Sequence, residues 1–485
     1  MRKIGKILAI VLIFACLLLC FIGCKAKEPN LSGYTKEAQI AIKDFVKLYG
    51  HSKNAYVVSD FDNTTSIYDI TYQCSVYQIL TMSFKMTPTE LRDSLSKYVS
   101  EDETAQKYIN DTVYAYEQLL AVYGEFTPAG VSQNQLEELH NNVYWKEFST
   151  KLKSMYLYIE TILDDPTACA WILFWYTNMT ENEVYELYKR SCLEYKDADT
   201  ESVTWTSPDS ITSEMGVVSC SFILGCSVTD SVKNMLAYYH DNGIDTWICS
   251  ASHVDGVRAA VDAYGLSSYI TGVIGMTQKV VDGKLVAEYD YETGYPYENK
   301  NGVWTKLDTP IKALPSREGK VTAINNVLVK KYNAGPLAGF MDASGDFNFC
   351  TEFESMKMVI CYNRADRKIT DGAGLVAIAA MSQKNQKLTL AKANEKGDTY
   401  YLLQGRDENN KRSLREDEGT IKYGKSEAQV FANESNAVLL KYLEDNNLSL
   451  KTFFDTFAIA TSKEESPIGL AYGYLDEYRG YHSVK

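Results

Sequence analysis

The chain has 485 residues, of which 45% are hydrophobic and 23% are charged, and its formal net charge is −14 at pH 7. At this length a single hydrophobic core no longer grows with the chain, so we expect two or more substructures. The ordinary balance of apolar and charged residues excludes an intrinsically disordered chain and a multi-span membrane protein. The negative charge repels phosphate backbones and anionic headgroups, which argues against nucleic acid as a partner.

The start of the chain differs from the rest. Three basic residues precede an almost wholly apolar run, Ile7–Ile22, which is short for a spanning helix of about 20 residues. A glycine and Cys24 follow, and a basic start, an apolar core and a small residue at the cut are typical of a secretory signal. Residues 1–24 resemble a bacterial lipoprotein signal, which implies a lipid on Cys24 and a protein anchored outside the cytoplasm to the bacterial cell membrane. A retained anchor helix is the alternative, and residues 25–35 are predicted to be a flexible tether.

Cysteine usage does not indicate a metal-binding framework. None of the eight cysteines beyond Cys24 forms a Cys-x-x-Cys pair, so a structural zinc site is not expected. Cys249, Cys350 and Cys361 lie in or beside apolar, strand-like runs, which favours reduced thiols in the core. We expect few disulfides, although exported proteins often contain them.

In chain order, the sequence predicts an amphipathic helix over residues 36–50 and a buried strand over 55–59. Long helical patterns without strand alternation then follow, including one continuous helix over 132–158. Two of these helices begin with Thr-x-x-Glu, the spacing of a capping box. Residues 66–205 are therefore predicted to be an all-helical insertion.

Strands and helices alternate again from near residue 220 onward. Predicted helices separate short apolar strands, and strands over 269–276 and 284–288 are predicted to form a hairpin. Such alternation predicts an α/β fold, a doubly wound parallel sheet with helices on both faces, built from residues 36–65 and 206–424. Residues 425–485 are predicted to add a helical extension.

Chemically active side chains follow predicted strands or begin predicted helices. An apolar strand stops at Asp60 and Asp62, in the position where open α/β sheets bind their ligands. Two carboxylates this close repel each other unless a cation or a shared proton relieves them, which indicates a metal-assisted nucleophile. Four such signals occur in order: Asp60-Phe-Asp62-Asn-Thr64, Ser250, Lys320, and Asp342 with Asp346.

The order of these signals resembles the haloacid-dehalogenase superfamily of phosphohydrolases, whose motifs are Asp-x-Asp-x-Thr, a strand-end Ser or Thr, a lysine and an acidic pair. The resemblance covers roughly residues 36–65 and 215–365. The stretches 236–252 and 361–364 look like the branch of phosphoserine phosphatase and phosphorylcholine phosphatase. This resemblance implies a Rossmann-like catalytic core and identifies residues 66–205 as the cap that closes over the site.

The resemblance also implies a role for each motif residue. Asp60 would attack phosphorus and form an aspartyl-phosphate. Asp62 would protonate the leaving alcohol and then activate the water that hydrolyses the intermediate. Thr64 and Ser250 would bind the phosphoryl group of the substrate.

The lysine motif has two candidates. Lys320 stands at the start of a predicted helix, 22 residues before Asp342, and would offset the phosphate charge and hold the nucleophile. Lys312 is the alternative because it is close in sequence. The position at a helix start favours Lys320.

The resemblance further implies a site for Mg²⁺. Asp60, the backbone carbonyl of Asp62, and Asp342 would bind the cation, with Asp346 either at the metal or bracing the lysine. A few carboxylates together with water and substrate phosphate are the ligands that magnesium prefers. A calcium loop starting at Asp60 is excluded because its sixth and twelfth positions are threonines instead of glycine and glutamate.

The cap is expected to choose the substrate. Trp171, Trp175 and Tyr176 lie close in sequence, downstream of Asp164 and Asp165, and aromatic faces with acids can hold a quaternary ammonium. The alternative is that these aromatics pack the core of the cap. The predicted function is magnesium-dependent hydrolysis of a small phosphomonoester, with phosphorylcholine as the best candidate. The alternatives are a phosphoserine-like or broad-range phosphatase, and a non-catalytic ligand-binding lipoprotein on the same scaffold.

Overall fold

The computed structural model describes residues 28–365 and 372–430, together with position 445. The predicted signal with Cys24, and the predicted extension beyond residue 430 except for position 445, lie outside these residues. Within the part of the chain that is described, no helix combines the length and the apolar character that a membrane span needs.

The strands and helices of the described residues are numbered in chain order. The strands are β1 (Tyr56–Ser59), β2 (Glu201–Thr206), β3 (Ser219–Leu224), β4 (Asp245–His253), β5 (Gly272–Met276), β6 (Gln278–Val281), β7 (Lys284–Tyr289), β8 (Tyr297–Lys300), β9 (Val303–Lys306), β10 (Ala338–Met341), β11 (Met358–Tyr362), β12 (Tyr400–Gln404), β13 (Arg406–Asp407) and β14 (Ser413–Leu414). The helices are α1 (Lys36–Tyr49), α2 (Ile70–Thr81), α3 (Pro88–Leu95), α4 (Glu103–Tyr123), α5 (Gln133–Asn141), α6 (Val143–Ile162), α7 (Asp165–Leu173), α8 (Glu181–Tyr195), α9 (Asp230–Asp241), α10 (Val254–Ala263), α11 (Glu318–Ile324), α12 (Lys330–Tyr332), α13 (Phe347–Thr351), α14 (Gly372–Asn385) and α15 (Leu390–Glu395).

The central sheet confirms the predicted α/β fold. Its strand order is β12-β11-β10-β1-β4-β5-β8-β9, and the neighbours from β12 to β5 pair in parallel. The side chains of β1, β5, β10, β11 and β12 are buried, as a parallel sheet covered on both faces requires. The chain moves outward from β1 through β4 and β5, and then on the other side from β10 through β11 and β12. The strand order therefore reverses beside β1, where such sheets bind ligands.

Helix α1 leads into β1 and is capped by Thr35, whose hydroxyl accepts a hydrogen bond from the backbone N–H of Ala38. The residues just before it belong to the core. Leu31 and Tyr34 are buried, and the Tyr34 hydroxyl lies 2.9 Å from that of Tyr362. The predicted tether covered residues 25–35, and its last residues instead pack against the sheet. They do so because the side chains of Leu31 and Tyr34 are removed from water there.

Helices α2 to α8 form the predicted helical insertion, with two local differences. The helix predicted over 132–158 is broken into α5 and α6, because Asn142 is extended and its side chain accepts from the N–H of Tyr144 to cap α6. The insertion also ends in a ribbon of antiparallel strands, β2 and β3, in which the rings of Trp205 and Phe222 are 4.7 Å apart. The exposed and half-buried residues of β2 alternate, a short strand signal that the long helical patterns before it obscured.

The predicted hairpin over 269–276 and 284–288 is paired differently. β5 is a buried strand of the central sheet, parallel to β4, and the partner of β7 is the intervening strand β6. Val281 and Lys284 flank the turn of this β6–β7 hairpin. The apolar run of β5 indicated a central strand, whereas the mostly exposed β6 carried a weaker signal.

The structure also describes elements that the sequence did not predict, including the helix α14 and the edge strand β12. None of the eight cysteines within the described residues is in a disulfide, and all of them except the half-buried Cys169 are buried.

Candidate active site

The turn after β1 positions the first motif. Asp60 continues the extended backbone of the strand, and a tight turn over Phe61–Thr65 follows. Within it Asn63 has a φ of +59°, a left-handed conformation that asparagine tolerates better than most residues. The Thr65 hydroxyl donates to the carbonyl of Asp60 at 2.7 Å and closes the turn. Asp60 and Asp62 consequently line the same cavity.

That cavity lies at the carboxyl edge of the sheet and has a volume of about 200 Å³. Helices α6 and α7 of the insertion contribute to its lining, so the cavity is bounded by the core on one side and by the cap on the other. Six of the predicted site residues line it: Asp60, Asp62, Ser250, Lys320, Asp342 and Asp346.

Lys320 holds the centre of the carboxylate cluster. Its ammonium nitrogen lies 2.6 Å from Oδ1 of Asp60 and 2.5 Å from Oδ1 of Asp346, and all three side chains are buried. Burial alone lowers the pKa of Lys320, but the carboxylates of Asp346 and Asp60 outweigh it and hold that pKa well above its usual value. The lysine is therefore charged. The alternative, Lys312, is exposed and does not line the cavity.

The carboxylates outnumber the cations around the cavity. Asp60, Asp342 and Asp346 each place one oxygen within 4.8 Å of the others, a group that could hold a metal ion. Burial, followed by repulsion from Asp346, raises the pKa of Asp60 well above its usual value against the opposing effect of Lys320. Arg364 adds a second cation, with Nη1 at 3.2 Å from Oδ2 of Asp342. Buried hard oxygen donors with excess negative charge fit Mg²⁺.

The carboxyl group of Asp62 stands apart from this group. It accepts hydrogen bonds from the backbone N–H of Ile70 at 2.7 Å and from the hydroxyl of Ser252 at 2.5 Å. Burial, followed by the charges of Asp69 and Asp60, raises its pKa well above the usual value despite these bonds. A carboxyl group with a raised pKa can carry a proton and release it, which is the property that a general acid needs.

The predicted phosphate contacts have different surroundings. Ser250, in the carboxyl-terminal half of β4, is buried, lines the cavity and accepts a hydrogen bond from the backbone N–H of Ser252 at 3.1 Å. Thr64 is also buried, but it is not among the lining residues; its hydroxyl donates to Oδ1 of Asp342 at 2.9 Å. In this arrangement Thr64 orients a carboxylate of the predicted metal site.

Sequence reasoning missed several residues of the cavity. Ser252 lies two positions after Ser250 on the same strand, so the alternation of the strand could have identified it. Asp69 also lines the cavity. It caps α2 by accepting a hydrogen bond from the N–H of Tyr72, and because capping is a common structural role of aspartate, the sequence did not indicate a role in the site. Tyr156 lines the cavity from α6, and no local pattern distinguishes it from the other tyrosines of that helix.

The aromatic side chains proposed to bind a quaternary ammonium lie elsewhere. Trp171 and Trp175 are at most 1% exposed, their rings are 6.0 Å apart, and neither they nor Tyr176 line the cavity. The indole N–H of Trp171 donates to the carbonyl of Leu95 at 3.1 Å. These three side chains therefore pack in the core of the cap, as the alternative expected, and they do not line the cavity that holds the motif residues.

The fold and cavity define an α/β protein with a helical cap over a buried cluster of carboxylates. A scan against models of known protein families finds no match, and a search of curated proteins finds no similar sequence. Among solved structures, the chain is similar to a conserved protein of unknown function from Anaerococcus prevotii DSM 20548. The TM-score is 0.62 at 25% identity, over 80% of this chain and 97% of that one.

Two further solved structures are similar at much lower scores. One is a phosphoserine phosphohydrolase-like protein from Francisella tularensis subsp. tularensis SCHU S4, with a TM-score of 0.25 at 13% identity over 64% of this chain and 87% of that one. The other is cytosolic 5'-nucleotidase IIIB bound to cytidine, with a TM-score of 0.29 at 10% identity over 67% of this chain and 79% of that one. These scores are too low to support an argument about the present chain.

Proposed function

We propose that this protein hydrolyses small phosphomonoesters through an aspartyl-phosphate on Asp60, as its resemblance to the haloacid-dehalogenase superfamily implies. One observation carries the proposal. Motif residues from four separate parts of the sequence converge on one cavity, where Lys320 bridges Asp60 and Asp346. Buried charges are costly unless they are paired, and such groups with strongly shifted pKa values are concentrated at functional sites.

The reaction would proceed in two steps. A carboxylate oxygen of Asp60 attacks phosphorus, the bond from phosphorus to the leaving oxygen breaks, and Asp62 gives that oxygen its proton. Asp62 then takes a proton from water, whose oxygen attacks the phosphoryl group and releases phosphate and free Asp60. The ammonium charge of Lys320 and the hydroxyl group of Ser250 stabilise the phosphoryl oxygens. The cap excludes bulk water from the cavity.

Magnesium is part of this proposal. Asp60, Asp342 and Asp346 would hold it, and the cation would offset the charge of the substrate phosphate against the surrounding acids. We expect activity to fall at least ~100-fold when a chelator removes divalent cations and to return on addition of Mg²⁺. Full activity after exhaustive chelation would contradict the metal requirement.

The substrate we propose is phosphorylcholine or a similar small phosphorylated amine. Support comes from the lining beyond the motifs: Asp69 adds a carboxylate and Tyr156 adds an aromatic ring, both suited to a cationic group. A cavity of about 200 Å³ suits a small molecule. We also propose, from the sequence pattern alone, that the mature chain is attached to a membrane by a lipid on Cys24.

The test of the function compares residues 25–485 of the wild type with Asp60→Asn. We expect the wild type to release phosphate from p-nitrophenyl phosphate with Mg²⁺, and D60N to lose at least ~1000-fold in rate while circular dichroism stays unchanged. Equal rates for the two proteins would refute the nucleophile. Phosphorylcholine, phosphoserine and p-nitrophenyl phosphate, compared by kcat/KM, then distinguish the proposed substrate from a broad-range activity.

A further inference from the structure

A buried arginine from the far end of the chain reaches the turn that carries Asp60 and Asp62. Arg406, on β13, is 1% exposed, and its Nη1 donates to the backbone carbonyl of Asn63 at 2.6 Å. Its Nη2 approaches Oδ1 of the same asparagine at 3.3 Å. Nothing in the four motifs accounts for this contact, which joins residues 343 positions apart.

Glu408 holds the guanidinium group in place. One of its carboxylate oxygens accepts from Nε and Nη2 of Arg406 at 3.0 and 2.7 Å, and the other lies 3.0 Å from Nζ of Lys422. Glu408 is itself 1% exposed. Because the guanidinium is a rigid planar fork, fixing one edge on Glu408 fixes the edge that faces Asn63.

The contact falls at a residue in the left-handed conformation. Asn63 has a φ of +59° and stands between Asp62, the proposed proton donor, and Thr64, which bonds Asp342. A non-glycine residue in the left-handed region persists only when its surroundings hold it there. Arg406 supplies that hold by pairing the carbonyl of Asn63.

The same C-terminal segment holds the other end of the loop. Tyr68 also has a positive φ, of 71°, and its hydroxyl donates to the carbonyl of Glu408 at 2.7 Å. The carbonyl of Tyr68 in turn accepts from the N–H of Asn63 at 3.2 Å. Arg406 and Glu408 thus bond both left-handed residues of the loop that connects β1 to the cap.

We propose that Arg406 is a positioning residue for the hydrolysis proposed above, on which this inference rests: it holds the Asn63 turn so that the carboxyl group of Asp62 meets the leaving oxygen. The role acts through Asp62, so it has a specific signature. An alkoxide leaving group needs a proton from Asp62, whereas p-nitrophenolate leaves without one. Loss of Arg406 should therefore slow the transfer of the phosphoryl group to Asp60 more from an alkyl phosphate than from an aryl phosphate, whereas the later hydrolysis step is the same for both.

The test measures kcat/KM, which reports the transfer of the phosphoryl group to Asp60, for an alkyl phosphate and for p-nitrophenyl phosphate in the wild type, Arg406→Met and Arg412→Met. Arg412 is the matched control: it is 8% exposed, lies in the same segment, and donates to the backbone carbonyls of Tyr195 and Lys196 instead of the catalytic turn. We expect R406M to lose at least ~10-fold more kcat/KM on the alkyl phosphate than on the aryl phosphate. R412M should lose the same factor on both. Equal losses on the two substrates for R406M would overturn the proposal.

A second pair of variants covers the case in which R406M does not fold. Asn63→Gly keeps the carbonyl and tolerates a positive φ, whereas Asn63→Ala disfavours it. We expect N63A to show the preference for the aryl phosphate and N63G to behave as the wild type; identical behaviour of the two would overturn the proposal. If the wild type hydrolyses neither substrate, the proposed function is refuted together with the role of Arg406. If the wild type is active and R406M loses the same factor on both substrates, only the role of Arg406 is refuted.

Discussion

The core and the cap each contain a group of buried side chains, and the two groups have opposite chemistry. On the core side, carboxylates and a lysine meet at 2.5–2.6 Å. On the cap side, Trp171, Trp175 and their neighbours pack ring against ring at centroid distances of about 6 Å. Burying paired charges is costly, so a cluster of them calls for a function, whereas burying aromatic rings stabilises a fold without one.

This contrast explains why the charged residues of the site could be predicted from the sequence and the aromatic residues of the cavity could not. Charged residues at strand ends were predicted to meet and do meet, but tryptophans close in sequence were a poor guide to a ligand site. The cap reaches the cavity through less conspicuous residues, which include Tyr156, Cys169 and Ile172. Substitutions in each group distinguish a role of the charges in chemistry from a role of the aromatics in packing.

The largest effect is expected from Lys320→Met. Removal of the ammonium leaves Asp60 and Asp346 facing each other in a buried site, so kcat should fall at least ~1000-fold and the free energy of unfolding by about 3–5 kcal/mol. Phosphate release per folded molecule and urea unfolding measure the two effects. Lys312→Met is the control and should stay within about twofold of the wild type. A K320M enzyme with wild-type activity would remove the charge cluster from the mechanism.

Trp171→Ala should act on stability alone. The side chain is fully buried, so its loss should lower the free energy of unfolding by about 3–5 kcal/mol. The folded fraction should keep kcat/KM within about threefold of the wild type. Leu193→Ala, at a residue of the cap that is 46% exposed, should change stability by about 0.5 kcal/mol or less. A selective rise in KM for phosphorylcholine in folded W171A would return the tryptophan to the substrate site.

Lys153 is an ionisable side chain buried among the aromatics of the cap. It is fully buried, its nitrogen lies 3.3 Å from the centroid of the Tyr72 ring, and burial lowers its pKa to about 7. Between about pH 7 and pH 10 the unfolded chain binds a proton that the folded chain has released. The stability of the wild type relative to Lys153→Met should therefore rise with pH, by up to about 1.4 kcal/mol per pH unit.

Denaturant unfolding of both proteins at pH 7, 8 and 9 measures this slope. Lys146→Met, at an exposed position of the same helix, is the control, and its difference from the wild type should stay constant with pH. A constant difference for K153M as well would mean that Lys153 keeps its proton in the fold.

The smallest effect is expected from Tyr156, the aromatic residue of the cap that lines the cavity. Tyr156→Leu should raise KM for phosphorylcholine about fivefold, the equivalent of about 1 kcal/mol of cation–π attraction, and leave KM for p-nitrophenyl phosphate less affected. Tyr156→Phe keeps the ring and should resemble the wild type. Equal KM values for the Leu and Phe variants would place the amine of the substrate elsewhere.

Local sequence signals predicted the centre of the molecule well. The strand over residues 55–59, the helix over 36–50 and the helix that starts near Lys320 correspond to described elements, because apolar periodicity and capping residues act over a few positions. The acids after β1 and β10 and the serine of β4 reach one edge because parallel strands end there together. The order of the motifs along the chain was therefore sufficient to predict that their residues meet in one site.

The remaining features depended on distant partners. Asn142 breaks a continuous helical pattern by capping the second half, and β6 replaces β5 as the partner of β7 because β5 is taken into the central sheet. Arg406 belongs to a segment with no chemical motif, and its role depends on Asn63 across most of the chain. A local sequence pattern cannot include both Asn63 and Arg406, because they are 343 positions apart.

The sequence alone determined the α/β class, the helical insertion and the group of acids that meets at the strand ends, since each follows from short-range periodicity and from the shared direction of parallel strands. The tertiary structure decided which lysine enters the cluster, which cap residues face the cavity and which arginine braces the turn. These outcomes depend on packing between residues that are far apart in the chain. Several lysines, aromatic residues and arginines have the same local sequence character, and only the tertiary contacts distinguish among them.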